Sequence, residues 1–250
     1  MSQHLFKYCL RLADNSLILG HRLAENCSYG PYLEEDLSIT NTALDLLGQA
    51  EELLKYAAEI EGKDRTADDL AYKRPEIEFY NVQLTEQPNG DFAHLMVRQF
   101  FMDAYNYFLY GSLKDSSDTT IAAISAKSLK EVTYHLRRSS EWIIRLSKGT
   151  EESRERIENA INDLWQFTFE PFEMDEVDQI LISEGVAVDL NKIREQWDTK
   201  VNEIFKMAGL ERPEDGYKAT GSRAGHHTEY LGFILSEMQY LPRAYPTAKW

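Results

Sequence analysis

Leu5, Cys9, Leu12, Ser16, Leu19 and Leu23 recur at alternating spacings of four and three, and Phe6, Leu10, Ala13 and Leu17 widen the same face. That 3.6-residue period predicts an amphipathic helix over about 3–26 with a broad buried side. Gly30-Pro31 then turns the chain. A second helix is predicted over 33–61. Its apolar stripe reads as Leu37, Leu44, Leu47, Leu54 and Ala58, and Gly62 is its C-terminal stop.

Residues 63–90 carry turn chemistry at Lys73-Arg74-Pro75 and Gln87-Pro88-Asn89-Gly90 and read as a long connection. Thr66-Ala67-Asp68-Asp69 has the pattern of a capping box and predicts one short helical turn inside it. A third helix, rich in aromatics, is expected over 91–113, with Phe92, Phe100, Phe101, Tyr105, Tyr107, Phe108 and Tyr110. Asp115-Ser116-Ser117-Asp118 breaks it and offers N-caps for a fourth, over 119–147, which stops at Gly149. Four long amphipathic helices joined by breaks point to an all-α four-helix bundle. Further helices are predicted over 151–167, 174–184 and 189–208, then a polar loop over 212–225. A last helix over 228–241 is expected to stop at Pro242. No repeat, flexible linker or composition shift divides the chain, so residues 1–250 read as one domain.

Composition narrows the function. The chain has 250 residues, 43% hydrophobic and 28% charged, with 13 Gly and 7 Pro. That is a globular balance poor in turn formers, which favours helices. The net charge of −15 disfavours nucleic-acid partners and docking to anionic lipid. Two cysteines, Cys9 and Cys27, are too few for a Cys-based zinc site. Placed on one helix they would also lie too far apart to bridge. With no signal-peptide pattern and no apolar run of spanning length, a cytoplasmic protein without a membrane segment is expected.

A long helical bundle raises the question of a dinuclear metal centre, which takes a carboxylate from each of two helices and a Glu-x-x-His from each of the other two. The spacing is physical, because residues i and i+3 share one helix face. No Glu-x-x-His occurs. Three residues before His135 stands Val132, with Glu131 one position earlier; on the second helix Leu46 and Gln49 hold the same i, i+3 spacing. Leucine and valine have no donor atom. The third helix offers Asp103, while Asp14 and Glu25 of the first sit off its clear apolar positions. The ligand count therefore predicts no metal in this chain. Asp45, Asp103, Glu131 and His135 read instead as a buried polar network needing mutual partners.

Several stretches carry a family resemblance. They are Leu33-Glu34-Glu35-Asp36-Leu37 through Leu44-Asp45-Leu46-Leu47-Gly48-Gln49-Ala50, and Glu86-Gln87-Pro88-Asn89-Gly90-Asp91-Phe92. They continue with Ala123 to Lys127, Lys130-Glu131 with Tyr134-His135-Leu136-Arg137, and His227-Thr228-Glu229 through Leu241 to Trp250. The chain resembles the structural C subunits (PaaC) of bacterial phenylacetyl-CoA epoxygenases over essentially its whole length. The resemblance implies a ferritin-like bundle with additional C-terminal helices, in which Leu46, Gln49 and Val132 stand where a ligand-bearing homologue carries Glu, His and Glu. It implies a non-catalytic partner of a di-iron catalytic subunit in NADPH- and O₂-dependent ring epoxidation of phenylacetyl-CoA. This chain would then carry no cofactor and no catalytic residue. Acyl-CoA would be held mainly through the partner, with self-association a further option. The competing class is an independent ferritin-like di-metal oxygenase or iron-binding protein.

Other candidates keep two readings each. Phe79, Tyr80 and Asn81 either border a partner or substrate cleft or tuck onto the bundle. The cluster around His227 and Glu229 reads as capping and packing by Thr228, as a partner contact, or as metal ligands. The aromatics of the third helix are core or interface.

Overall fold

The computed structural model describes residues 2–248, so Trp250, which the resemblance includes, lies outside the described residues. Among these all the regular secondary structure is helical, with no strand. The fold class is an all-α, ferritin-like helical bundle. It divides into two compact units. One joins residues 2–87 to 221–248, and the other is the continuous segment Pro88–Thr220.

In the two-segment unit, α1 (Ser2–Ala24) and α2 (Leu33–Glu61) pack along each other. The turn between them is fixed by Asp36, whose Oδ1 accepts from the Ser28 and Gly30 amides at 2.7 and 3.2 Å. Gly62 ends α2 in the left-handed region, at φ 64°, as its place predicted. The connection beyond is folded rather than open. It holds α3 (Ala67–Tyr72), closed by the Thr66/Asp69 capping box, then a 3₁₀ turn at Glu76–Glu78 and the single-turn α4 (Gln83–Glu86).

The face of α2 is not the one the leucines suggested. Its buried arc is Ile39, Thr42, Ala43, Leu46, Gln49, Ala50, Leu53, Leu54 and Ala57. Of the predicted stripe only Leu54 is buried; Leu37 is 55% and Leu44 61% exposed. Leucines occupy both sides of this helix, so periodicity alone does not choose between them.

The continuous unit contains α5 (Phe92–Leu113), α6 (Thr119–Ser147), α7 (Glu151–Trp165), α8 (Glu176–Ser183) and α9 (Leu190–Ala208). Asp91 and Asp118 cap α5 and α6, accepting from the His94 amide and from the Thr120 and Ile121 amides. α5 runs through the middle of this unit and packs on α6, α7 and α9. Its Phe100, Phe101, Tyr105 and Tyr110 are core, while Phe92, Tyr107 and Phe108 are half-buried. The Phe101 ring meets Trp165 and Trp197, and the Trp197 indole N–H donates to the Phe101 carbonyl at 2.9 Å.

The chain closes on α10 (Glu229–Met238) and α11 (Tyr240–Ala244) in the two-segment unit. The break falls at Gln239 rather than at Pro242, which occupies the first turn of α11. There its missing N–H would have had no intrahelical partner.

Candidate functional site

The positions that decide the metal question are buried. Leu46, Gln49, Val132, Asp103 and His135 are all shielded from solvent, whereas Asp45 and Glu131 are half-buried. Asp103 and His135 share the continuous unit. Asp45, Leu46 and Gln49 belong to the other.

Asp103 projects from α5 towards α6. Gln99, one turn earlier on α5, donates its amide N–H to Oδ1 at 2.6 Å. The Ser139 hydroxyl, on α6, donates to Oδ2 at 2.7 Å. Burial pushes this carboxyl up to about 6, although positive charge at His135, the two hydrogen bonds and Arg138 pull the other way. Gln99 and Ser139 are the partners that sequence reasoning missed. Each was legible at i, i+4, Gln99 from Asp103 and Ser139 from His135, but their meeting across two helices was not.

Asp14 lies in the core of the two-segment unit, fully buried on α1, a correction to its reading as an off-stripe residue. Arg74 meets it with both terminal nitrogens, one of them at 3.0 Å, and the Tyr80 amide donates to Oδ2 at 2.9 Å. A bidentate guanidinium and a backbone amide satisfy this carboxylate. Arg74 also donates to the carbonyls of Leu70 and Glu78 and lies 4.2 Å over the Phe79 ring. Its own carbonyl accepts from Gln239 and Arg243, so the C-terminal helices are tied to the same point.

Another buried carboxylate sits twelve residues beyond Arg74. Glu86 Oε1 accepts from Asn81 Nδ2 at 2.9 Å and faces His227 Nδ1 at 2.6 Å. Its Oε2 accepts from the amide and the hydroxyl of Thr228, at 2.8 and 2.6 Å. His227 Nε2 lies 2.9 Å from the Phe79 carbonyl. A carbonyl only accepts, so Nε2 is the donor in that contact. The Glu86 carbonyl in turn accepts from Arg22 of α1 at 2.9 and 2.7 Å. Thr228 does stand at the N-cap of α10, but its side chain makes no cap bond because Glu86 takes the hydroxyl. Gly225 is required just before it. Its φ is 80°, and a Cβ there would lie 2.7 Å from the Ile77 carbonyl oxygen.

Phe79 and Asn81 are thus fully buried parts of this framework, and the His227 side chain is enclosed beside Glu86. Tyr80 is half-buried, with Lys7 Nζ 4.9 Å over its ring, and Glu229 is exposed. Every oxygen of Asp14, Asp103 and Glu86 faces a fixed protein donor. Leu46 and Val132 offer no donor atom. Among the described residues no group of three His, Cys, Asp or Glu side chains could hold a metal ion. These residues do not fit a dinuclear iron centre. What Asp14, Arg74 and Glu86 do is fix backbone: residues 70–86 are clamped between α1 and the segment 226–243.

A family model of phenylacetic acid catabolic proteins matches residues 1–250. A protein of Escherichia coli (strain K12), named as the C subunit of 1,2-phenylacetyl-CoA epoxidase, is 47% identical over 246 residues, 98% of this chain and 99% of that protein. Among the described residues no helix is long and apolar enough to cross a membrane.

Proposed function

This chain belongs to the phenylacetic acid catabolic protein family, and on that premise we propose that it is the non-catalytic structural subunit of a phenylacetyl-CoA epoxidase. Its work there is to hold a di-iron catalytic subunit in place. The observation that carries the reading is the state of the would-be ligand positions. Leu46, Gln49 and Val132, which the resemblance sets at positions where a ligand-bearing homologue carries Glu, His and Glu, are buried, and Leu and Val have no donor atom. The Asp103 carboxylate gives both oxygens to Gln99 and Ser139. A bundle that keeps its buried polar groups while spending them on its own backbone and side chains is suited to scaffolding.

The iron, the reductase function and most of the acyl-CoA contact then belong to other subunits. A chain of net charge −15 repels a polyanionic thioester carrier over its surface as a whole. Elemental analysis of protein from iron-replete cells tests the assignment, with the chain purified alone and with the other epoxidase subunits. No iron in the chain alone, and two irons per catalytic chain in the assembly, is the expected result. Close to two irons per chain in the isolated protein overturns it.

A further inference from the structure

Of the large hydrophobic side chains exposed among the described residues, five fall within one short stretch: Tyr29 at 80%, Tyr32 at 65%, Leu33 at 71%, Leu37 at 55% and Leu44 at 61%. On α2, at 100° per residue, Leu33, Leu37 and Leu44 lie within a narrow arc opposite the buried one. Gly48 continues the arc, and the space where its Cβ would stand is open for 4 Å. The result is an apolar strip roughly 22 Å long ending in a notch that admits close approach of another backbone. Contiguous exposed apolar surface of this kind marks an interaction site.

The charge beside it says what kind of partner fits. Glu34, Asp45, Glu52 and Glu59 recur at spacings of eleven, seven and seven and so form one row along the edge of the strip. Over Leu33–Glu61 there are eight acidic residues and one lysine, about half of the chain's net charge of −15. Two copies meeting through this face would bring these rows together, which like-charge repulsion opposes. A different chain with cationic side chains along an apolar helix would be drawn to it.

We propose that the outer face of α2 as far as Gly48, together with Tyr29 and Tyr32 of the turn before it, docks a second, different polypeptide of the complex, one that presents an apolar helical face flanked by Lys and Arg. This rests on the structural-subunit reading above and specifies where that subunit is grasped.

The test uses the tagged full-length chain co-expressed with the other epoxidase subunits. Leu37→Glu combined with Leu44→Glu alters only exposed side chains, so the thermal midpoint stays within about 2 °C of wild type. Affinity for the partner subunit falls roughly a hundredfold. Glu34→Lys with Glu59→Lys slows association roughly tenfold and flattens its dependence on salt. A photo-crosslinker at position 37 forms an adduct with a different subunit, next to Lys- or Arg-bearing peptides. If the double-Glu variant assembles as tightly as wild type, or the crosslink joins two copies of this chain, the docking assignment is wrong while the subunit reading stands. If the wild-type chain itself assembles with no other subunit, the subunit reading fails.

Discussion

Asp14 in one unit and Asp103 in the other are both withdrawn from water on long helices, yet they are held in opposite ways. Asp14 has a bidentate guanidinium from Arg74 and a backbone amide; Glu86, in the same unit, has three donors and a histidine. Asp103 has two neutral donors, with positive charge only in its surroundings. In the first unit a buried charge is matched and ties distant segments together. In the second it is tolerated, and its proton affinity rises to compensate. A carboxylate kept with full charge complementarity acts as a structural tie, and one kept without it holds its proton more tightly.

Substitutions sharpen this contrast. The largest effect is expected from Arg74→Met, which leaves Asp14 charged and unpaired in the core and costs about 3–5 kcal/mol by urea denaturation. The double variant Asp14→Leu with Arg74→Met recovers much of that loss. If it does not, Arg74 acts through its carbonyl contacts and the Phe79 ring rather than through charge.

His227→Leu comes next, at roughly 2–3 kcal/mol, because it removes one of the partners of the buried Glu86 and leaves the Phe79 carbonyl without its donor. Limited proteolysis is the direct readout: the segment after residue 221 becomes cleavable well before Pro88–Thr220. Equal protection of both would break the contrast.

The smallest change has the opposite sign. Burial raises Asp103 from 3.8 to about 6. Between about pH 4 and 6 the folded chain therefore holds a proton that the unfolded chain has released. Its contribution to stability is complete below pH 4 and is lost as the pH rises through 6. Asp103→Asn should stabilise the chain by roughly 2 kcal/mol at pH 7.5 and by nothing at pH 4, measured as the difference between variant and wild-type denaturation. A gain of the same size at both values would show that the carboxylate is not strained by its burial.

Much of the fold was legible in the sequence because its stops are local. Gly62, the Thr66/Asp69 box, Asp91 and Asp118 mark helix ends through bonds spanning two to four residues. The outward face of α2 was misjudged for a physical reason: Leu37 and Leu44 repeat at helical spacing as regularly as Leu46 and Leu53, and only packing shows which set faces in. The Glu86–His227 contact joins residues 141 apart, and no spacing rule reaches that far. Asp103 was visible as a candidate, but the residues that finally hold it, Gln99 and Ser139, are ordinary polar residues with no motif to flag them.

One unit is assembled from both ends of the chain, and that sets a timetable for its birth. Residues 2–87 emerge from the ribosome first, but His227, Thr228, Gln239 and Arg243 follow only after the whole of Pro88–Thr220 has been translated. At ordinary elongation speeds that interval is on the order of ten seconds. Throughout it Glu86 waits without its histidine, and the Arg74 carbonyl without its two donors. The inserted segment, continuous in sequence, has all its residues available before then. The oldest part of the nascent chain is thus the last to be finished, and its helices must stay competent through those first seconds.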